Sequence, residues 1–550
     1  MHGLMMDMPL LIPSLIRHGA LCHGSVEIVS QTVEGPIHRY TYADAYARIQ
    51  RLAGALEAMG VSPGDRVATL AWNGYRHFKL YYGISGIGAV CHTVNPRLFE
   101  DQIAYIINHA ADRFIFADLT FVPLLEELRD RIPTIEGFVV MTDEAHMPET
   151  TLPNAVCYET LLDNQPAEYE WPLLDERTAS ALCYTSGTTG NPKGVLYSHR
   201  STVIHSLGIL ISSIAMRATD TVLPVVPMFH VQSWGVPHAA PVVGAKLVFA
   251  GPHTDGETLQ RLFADEQVTV SLGVPTIWLG LLDYLRASGK RIDSLRMFLS
   301  GGAAPPLSMI EAYENDYGVD VNHGWGMTET SPVAAAGIDR KVLEPLSHDA
   351  RLREKLKQGQ VLFGVEMKIV DDDGNRLPHD GAATGELLVR GPWVTSGYFD
   401  DDEANAVAFD AEGWFRTGDV CAIDPTGHMM ITDRIKDLIK SGGEWISSID
   451  LENTAMGHPD VAEAAAIAMP HPKWTERPML VVVPRDGAAL TRDDVLAYLD
   501  GKIVKWWMPD DVVFTDELPH TATGKVSKVR LRERYADHVL PSVNETQQGP

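Results

Sequence analysis

The chain carries a dense run of glycine and hydroxyl side chains between two apolar segments, from Tyr184 to Val195. The run reads Tyr-Thr-Ser-Gly-Thr-Thr-Gly-Asn-Pro-Lys-Gly-Val and holds one lysine. Glycine lets the backbone approach a ligand closely and turn its N–H groups inward, because it has no Cβ and tolerates positive φ. Inward N–H groups, hydroxyls and an ammonium group form a cradle for phosphate, so the run predicts a phosphate-binding loop. The alternative is a flexible surface loop of turn residues.

This run differs from the Walker A loop of ordinary P-loop ATPases. A Walker A loop needs a Gly directly before its Lys and a Ser or Thr directly after it. Here Pro192 precedes Lys193, and Gly194 follows it. The sequence therefore predicts a protein that handles a nucleoside triphosphate in another way.

Four further segments combine glycines or turns with aromatic and charged side chains. In His323–Thr330, a Trp beside Gly can lie flat against a base, and a Glu near phosphates usually needs a divalent cation between them. In Trp414–Asp419, a carboxylate after Gly suits the two hydroxyls of a ribose. Taken alone, the alternating charges of Asp433–Glu444 are typical of a solvated linker. The lone Lys in Thr521–Val526 is, by itself, typical of an exposed surface residue.

The composition limits the class of protein. A chain of 550 residues is too long for a single core. The formal net charge of −27 argues against a nucleic-acid binder and against docking on an acidic membrane surface. An anionic substrate must then be held by a local positive site. The five cysteines are scattered without a C-x-x-C pair, so we expect no disulfide framework, no zinc site and a reducing compartment.

Targeting signals are also missing from the sequence as read. The N-terminal stretch has no basic region and is interrupted by Asp7, Pro9 and Pro13, unlike a signal peptide. No run approaches the roughly 20 apolar residues of a membrane helix. The chain ends in Gln-Gln-Gly-Pro, which is no peroxisomal address. We therefore expect a cytoplasmic protein without a membrane span.

Hydrophobic periodicity predicts an α/β protein with two domains. The large N-terminal domain, residues 1–435, should contain parallel-sheet layers and a smaller β-rich part around 366–390, split by a turn at 371–375. The small C-terminal domain, residues 436–550, should be α+β. Helices are predicted at 42–59, 77–88, 451–457 and 492–503, and strands at 66–71, 113–116, 137–141, 464–468 and 480–483.

The order and spacing of the five segments together resemble the adenylate-forming family of acyl-CoA synthetases, luciferases and peptide-synthetase adenylation domains. The resemblance covers nearly the whole chain. Within the family, the sequence is similar to CoA ligases for short- or medium-chain fatty acids or for 3-methylthiopropionate. The runs at 90–99 and 470–474, Val-Cys-His-Thr-Val-Asn-Pro-Arg-Leu-Phe and Pro-His-Pro-Lys-Trp, support that subgroup less specifically.

The resemblance implies a reaction in two steps. ATP first activates a carboxylate to give acyl-AMP and pyrophosphate, and the acyl group then passes to the thiol of coenzyme A. Two anions must meet, so positioned cations have to neutralise the charge that develops at phosphorus. A carboxylate needs no general base, and no Ser-His-Asp arrangement is expected.

The resemblance also assigns roles to residues of the nucleotide site. Thr185 and Glu329 would hold Mg²⁺, and Lys525 would reach both the attacking carboxylate and the α-phosphate. The phosphate loop would act through Thr185, Ser186, Gly187, Thr188, Thr189, Gly190 and Lys193. The base and ribose would be held by Trp325, Gly326, Met327 and Thr328, by Gly302, Ala303 and Ala304, and by Asp419 and Arg434.

Family members rotate the small, mobile domain between the two steps. The hinge matches Lys436, and the segment around Gly443 would line the tunnel for the pantetheine arm of coenzyme A. This motion would let Lys525 serve the first step and leave before the thiol attacks.

The acyl site is expected in the segment Phe229–Gly235. Amino-acid-activating relatives carry an Asp where His230 stands, so an amino-acid substrate is disfavoured, and His230 should lie near the carboxylate. Trp234 is large enough to favour short or medium acids, although it could instead only pack the core. Val274 and Gly301 are small enough to leave room beside it.

Three other functions are compatible with parts of the pattern. An adenylation enzyme could load a separate carrier protein, and a luciferase-type oxygenase would share the first step. A non-catalytic nucleotide-binding relative would be expected to have lost Lys525, Glu329 or Asp419, and all three are present. Many relatives are dimers, so a homodimer is one expectation for the oligomeric state.

Overall fold

The computed structural model describes residues 1, 3–185, 191–442, 444–521 and 525–543. These residues form 25 strands, arranged in four sheets, and 17 α-helices. The helices of the described ranges are α1 Ile12–Cys22, α2 Tyr42–Ala58, α3 Tyr75–Gly86, α4 Glu100–Ala110, α5 Val122–Leu128, α6 Tyr158–Asp163, α7 His199–Leu210, α8 Val236–Val243, α9 Gly256–Glu266, α10 Pro275–Ser288, α11 Leu307–Tyr317, α12 Arg340–Leu343, α13 His348–Glu354, α14 Asp402–Ala408, α15 Ser448–Met456, α16 Arg492–Leu499 and α17 Lys528–Arg534.

A seven-stranded sheet holds the predicted phosphate loop at one edge. Its strand order is β7 Ala155–Cys157, β6 Gly137–Val140, β5 Phe114–Ala117, β3 Arg66–Leu70, β4 Val90–Thr93, β8 Ala179–Tyr184 and β9 Gly194–Ser198. The first six strands in this order, from β7 through β8, run parallel to one another. The last strand, β9, pairs antiparallel with β8. The predicted phosphate loop therefore lies between two paired strands, β8 and β9.

A nine-stranded sheet supplies the floor of the site. Its order is β16 Gln360–Val361, β15 Val333–Ala336, β14 Asp320–Gly326, β13 Met297–Ser300, β12 Val270–Gly273, β10 Thr221–Pro224, β11 Lys246–Phe249, β1 Glu27–Gln31 and β2 Ile37–Thr41. The six strands from β14 to β1 are parallel. Their carboxyl ends meet at one edge of the sheet, which is where ligands bind in open α/β sheets.

Helices α1, α2, α3, α7 and α8 lie between the two large sheets. Their apolar side chains, such as Ile16, Leu52 and Phe78, share one core with Cys91 of β4 and Leu247 of β11. Parallel strands covered on both faces are apolar along their whole length, and β4, β5 and β6 are buried throughout. This shared core fixes the two sheets relative to each other and so fixes the loops at their edges.

Two smaller antiparallel sheets follow in the sequence. The first consists of β17 Glu366–Val370, β18 Thr384–Arg390, β19 Phe415–Ile423 and β20 Met429–Arg434. The second consists of β22 Glu444–Ile446, β21 Ile439–Ser441, β24 Thr475–Pro484 and β23 Val461–His471, with β25 Asp511–Phe514 parallel to β24. The chain changes sheet between Arg434 and Ile439, and the predicted domain boundary at 435/436 falls in this interval. The boundary itself stays a prediction.

The predicted fold class is confirmed: a large α/β region with parallel sheets, a β-rich sheet and a C-terminal α+β region. The helix predicted at 492–503 is shorter than expected and ends at Leu499, because Asp500 leaves the helical conformation and Gly501 has a φ of +75°. The strands predicted at 464–468 and 480–483 are longer than expected, because β23 and β24 pair from Val461 to His471. No helix in the described ranges has the length and apolar character needed to cross a bilayer.

Candidate active site

A cavity of about 460 Å³ opens at the carboxyl ends of β12, β13 and β14. Residues of β19 and β20 and of the C-terminal region complete its wall. Most of the predicted site residues in the described ranges line it: Thr185, Lys193, His230, Trp234, Val274, Gly301, Gly302, Trp325, Gly326, Met327, Thr328, Glu329, Arg434, Lys436 and Lys525. The fold thus brings the separate sequence segments to one place.

The ends of the phosphate loop are held together by the β8–β9 hairpin. The backbone N–H of Thr185 donates to the carbonyl of Lys193 at 2.9 Å. In return, the N–H of Lys193 donates to Thr185 Oγ1 at 3.1 Å. The Lys193 ammonium lies 4.9 Å from the centre of the Tyr398 ring. The predicted phosphate ligands Ser186, Gly187, Thr188, Thr189 and Gly190 lie outside the described residues.

Glu329 is buried in the short turn that follows β14. The hydroxyl of Tyr398 donates to Glu329 Oε1 at 2.7 Å, and the N–H of Thr395 donates to the Glu329 carbonyl at 2.7 Å. Burial raises the pKa of the Glu329 carboxyl, while the Tyr398 hydrogen bond and the charge of Lys193 oppose that rise. Tyr398 thus holds the side-chain carboxylate of Glu329, and Thr395 holds its main chain.

The oxygen ligands here fit a hard cation. The Thr185 hydroxyl and the Glu329 carboxylate line the same cavity. Among the residues that the structure describes, no three His, Cys, Asp or Glu side chains converge as a metal site. Mg²⁺ typically takes one or two protein carboxylates and completes its shell with phosphates and water, so the two ligands would hold Mg²⁺ together with a nucleotide.

Asp419 organises the wall of the cavity next to the predicted base site. Its Oδ2 accepts a hydrogen bond from Trp325 Nε1 at 2.8 Å, and its Oδ1 lies 3.0 Å from Arg434 Nε. Asp419 is almost fully buried behind these two residues, both of which line the cavity. The carboxylate therefore fixes an aromatic ring and a cation on one side of the site. The contact of Asp419 with a ribose stays a prediction.

Two glycines after β13 make room where the charged and apolar parts of the cavity meet. A Cβ on Gly302 would lie 3.5 Å from Lys525 Cε and 3.4 Å from Val274 Cγ1. A Cβ on Gly301 would lie only 2.7 Å from the Trp234 ring. Gly302 also has a φ of +82°, which other residues rarely adopt. Ala303 and Ala304 continue beyond the residues that line the cavity, and their predicted contact with the base stays a prediction.

Lys525 reaches the cavity from the C-terminal region. Its backbone N–H donates to Thr521 Oγ1 at 3.2 Å. Withdrawal from water lowers the pKa of the Lys525 ammonium to about 8, with a further decrease from the charge of Arg434, whereas Asp419 and Glu329 raise it. Lys436 also lines the cavity, and Gly443 lies outside the described residues.

His230 and Trp234 are presented by a left-handed turn. Residues Val231–Gly235 have φ values of 42°, 51°, 52°, 55° and 77°. Left-handed backbone costs about 1–2 kcal/mol per non-glycine residue and persists only where the surroundings enforce it. Here the Ser233 hydroxyl donates to the carbonyl of Val226 at 2.8 Å. The turn directs both His230 and Trp234 to the cavity.

The environment of His230 favours its neutral form. Burial lowers the pKa of the imidazole to about 3, and the nearby charge of Lys525 acts in the same direction. A neutral His230 can hydrogen-bond a substrate without adding charge. The apolar part of the cavity is formed by Val225, Val226, Phe229, Trp234, Val274, Ile277, Leu299 and Val333.

Two residues that line the cavity, Tyr398 and Arg97, were not assigned a role from the sequence. Tyr398 lies between Lys193 and Glu329. The guanidinium of Arg97 lies over two rings, 5.9 Å from the centre of Trp72 and 5.7 Å from that of Phe229. The sequence offered only weak signals for them, a Gly-Tyr-Phe run after β18 and the Asn-Pro-Arg run after β4.

Comparisons with known proteins agree with this geometry. A model of the family described as AMP-binding enzyme matches residues 21–399, and one described as AMP-binding enzyme C-terminal domain matches residues 450–525. A 3-methylmercaptopropionyl-CoA ligase from Ruegeria lacuscaerulensis is 50% identical over 542 residues, which are 98% of this chain and 99% of that protein. A medium-chain-fatty-acid–CoA ligase from Ectopseudomonas oleovorans is 47% identical over 543 residues, with coverage of 98% and 99%.

A solved structure gives the same result at lower identity. ATP-bound MatB from Rhodopseudomonas palustris superposes with a TM-score of 0.80 at 26% identity, covering 96% of this chain and 99% of its own. The family model covers well over half of the chain, and the curated relatives align over nearly all of it. The chain therefore belongs to the family of AMP-binding enzymes.

Proposed function

We propose that this enzyme is an AMP-forming acid:CoA ligase for a short- or medium-chain carboxylic acid such as 3-methylthiopropionate. The observation that carries the proposal is the meeting of Lys525, His230 and the Gly301–Gly302 pair between a charged and an apolar part of one cavity. Such a cavity suits a substrate with an apolar chain and a carboxylate that must approach a triphosphate. The two relatives at 50% and 47% identity carry names of CoA ligases for acids of this kind.

In the first step, a carboxylate oxygen attacks the α-phosphorus of ATP and pyrophosphate leaves. No proton has to be removed, so the site needs cations and hydrogen bonds rather than a base. Lys525 would neutralise the charge that develops between carboxylate and α-phosphate, and neutral His230 would orient the carboxylate. Lys193 would bind the leaving phosphates, and Mg²⁺ held by Thr185 and Glu329 would neutralise them.

In the second step, the thiol sulfur of coenzyme A replaces the phosphate oxygen at the carbonyl carbon, AMP leaves, and the thiol proton is released to water. Lys525 lines the same cavity and would block one approach to that carbon, so we propose that the region after Lys436 rotates between the steps. Contacts between residues before and after the proposed hinge at Lys436 would then break. They include the hydrogen bond from Ser447 Oγ to the Thr432 carbonyl at 2.6 Å and that from the Ser448 N–H to Asp433 Oδ2 at 2.6 Å.

Location and assembly belong to the same proposal. The five cysteines are free, as a reducing cytoplasm would allow, and we propose that location. A homodimer is the assembly that we propose from the family resemblance. Sedimentation of the purified chain would test it, and a monomer at micromolar concentration would refute it.

The test of the activity is pyrophosphate release with ATP and Mg²⁺ across a panel of acids, with and without coenzyme A. The panel contains 3-methylthiopropionate, butyrate through dodecanoate, cinnamate and several amino acids. Sustained turnover that requires coenzyme A, greatest with a short or medium acid, is the expected result. Release without transfer to coenzyme A would favour a separate carrier protein as acceptor. No release with any acid, despite ATP binding, would contradict the ligase proposal for this panel.

A further inference from the structure

We propose that Tyr398 is a positioning residue that holds Glu329 ready for the cation and keeps Lys193 apart from Glu329. This inference rests on the proposed function, because it concerns the residues that would hold the Mg²⁺ and phosphates of ATP. The Lys193 ammonium and the Glu329 carboxylate have opposite charges and line one cavity. The phenol of Tyr398 contacts both of them, one through its hydroxyl and the other through its ring face.

The position of Tyr398 is determined by its own segment. Its N–H donates to Asn405 Oδ1 at 2.6 Å, and Asn405 Nδ2 donates back to the Tyr398 carbonyl at 3.0 Å. The next residue, Phe399, pairs with Gly194, directly after Lys193, and donates its N–H to the Gly194 carbonyl at 2.8 Å. On the other side, the N–H of Thr395 binds the Glu329 carbonyl. One segment therefore joins the phosphate loop to the turn that carries Glu329.

The two contacts of the phenol have different consequences. The hydroxyl donates to Glu329 Oε1 at 2.7 Å and so fixes the orientation of the carboxylate. Groups that orient a metal ligand in this way are typically worth about 10–100-fold in metal affinity. The ring holds the Lys193 ammonium at 4.9 Å from its centre, in the geometry of a cation–π contact.

The ring also acts as a spacer. An ammonium and a carboxylate attract each other strongly where water is scarce. Without the ring, Lys193 could pair directly with Glu329, and both groups would be lost to the nucleotide and its cation. The Tyr398 ring and hydroxyl lie between Lys193 and Glu329, and they prevent this pairing while the site is free of ligand.

The test compares Tyr398→Phe with Tyr398→Leu by calorimetric titration of ATP, once with Mg²⁺ and once with a chelator. Phe keeps the spacer and loses the hydroxyl. We expect the dissociation constant of ATP with Mg²⁺ to rise about tenfold, and that without Mg²⁺ to change less than twofold. Leu loses the spacer as well, so ATP binding without Mg²⁺ should also weaken about tenfold, since Lys193 then pairs with Glu329.

The double variant Tyr398→Leu/Glu329→Gln separates positioning from simple loss of structure. Without the carboxylate, Lys193 is released, and ATP affinity in chelator should return to within about threefold of the wild type. Tyr169→Phe is the matched control, because the Tyr169 hydroxyl donates to Glu57 Oε1 at 2.6 Å on the surface. It should bind ATP like the wild type under both conditions.

Two results would overturn the inference. One is a Tyr398→Phe variant with unchanged affinity for ATP in Mg²⁺, and the other is a double variant no better than Tyr398→Leu. Thermal melting of each variant without ligand identifies any unfolding, and Tyr398→Phe alone decides the case if Tyr398→Leu does not fold. Wild-type turnover with the acid panel is measured in parallel. If the wild type shows no turnover, the proposed function is refuted. If the wild type turns over normally and the Tyr398 variants bind ATP like the wild type, only the role of Tyr398 is refuted.

Discussion

Asp419 and Arg434 stand directly opposite each other on β19 and β20, and their side chains form an ion pair with Nε 3.0 Å from Oδ1. The second oxygen of the same carboxylate accepts the indole N–H of Trp325. One buried carboxylate thus orders a cation and an aromatic ring that both line the cavity. These three residues belong to three separate motifs of the sequence, and the ion pair explains why they act together.

Asp419→Asn is predicted to weaken ATP use without abolishing the fold. The amide can still accept from Trp325 but no longer offers a charge to Arg434. A hydrogen bond to a charged group is worth about 1.5–3 kcal/mol, so KM for ATP should rise at least about tenfold. Steady-state kinetics at saturating acid and coenzyme A measures this change. Asp371→Asn, at an exposed turn, is the control, and an Asp419→Asn variant with the same KM as this control would contradict the role.

The motifs of this sequence predicted most of the cavity because each lies within a short contiguous segment. Thr185 and Lys193, for example, are placed by one hairpin whose apolar strands and polar turn can be recognised locally. Tyr398 could not be assigned in this way. Its importance comes from the pairing of Phe399 with Gly194 and from a hydrogen bond to Glu329, and both join segments far apart in the sequence.

Contacts between segments that are far apart in the sequence also explain two other features that were not predicted. Trp325 and Asp419 are 94 residues apart, and their hydrogen bond exists only because the end of β14 and the beginning of β19 lie at the same cavity. The left-handed turn at Val231–Gly235 was not predicted either, since four of its five residues are not glycine. Tertiary contacts such as that of Ser233 with Val226 enforce it, and local preferences oppose it.

The adenylation step is predicted to lose rate as the pH rises through about 8. Burial and Arg434 lower the pKa of Lys525 to about 8. The ammonium form, which neutralises the developing charge, is therefore complete below that pH and is lost above it. The charges that face Lys525 are Arg434 and Lys436, which lower the pKa, and Asp419 and Glu329, which raise it, while His230 is neutral.

The measurement is kcat/KM for ATP between pH 7 and 10, because this ratio reports groups of the free enzyme. Above the pKa, the ratio should fall about tenfold per pH unit. Lys525→Arg should be slower but flat over this range, since guanidinium stays protonated. An unchanged descending limb in Lys525→Arg would assign the titration to another group.

Trp234→Ala is predicted to move the substrate preference toward longer acids. The Trp234 ring packs against Gly301 at the apolar end of the cavity. Its removal leaves space, and each methylene that fills it contributes about 0.8 kcal/mol, which is about fourfold in kcat/KM. The profile of kcat/KM from butyrate to dodecanoate measures the shift, with Trp234→Phe as an intermediate. If Trp234 only packs the core, Trp234→Ala will lower the melting temperature and leave the profile unchanged.

Lys525→Ala and a bulky substitution at Gly443 are predicted to separate the two half-reactions. Loss of the ammonium should reduce acyl-AMP formation by at least about a hundredfold, as for other groups that stabilise charge only in the transition state. Thioester formation from supplied acyl-AMP should remain close to the wild-type rate, because Lys525 would have left the site by then. Gly443→Trp should do the reverse, since a large side chain would obstruct the tunnel for the pantetheine arm.

Pyrophosphate release measures the first half-reaction, and acyl-CoA formed from synthetic acyl-AMP measures the second. Lys290→Ala is the control for removal of a lysine, because Lys290 lies on the surface, where its ammonium contacts only Tyr284 among the described hydrogen-bond and ring partners. It should carry out both steps normally. Equal loss of both half-reactions in both variants would exclude a rotation about Lys436, because a single arrangement would then serve both steps. Opposite losses would mean that Lys525 and the Gly443 segment occupy the reacting centre at different times.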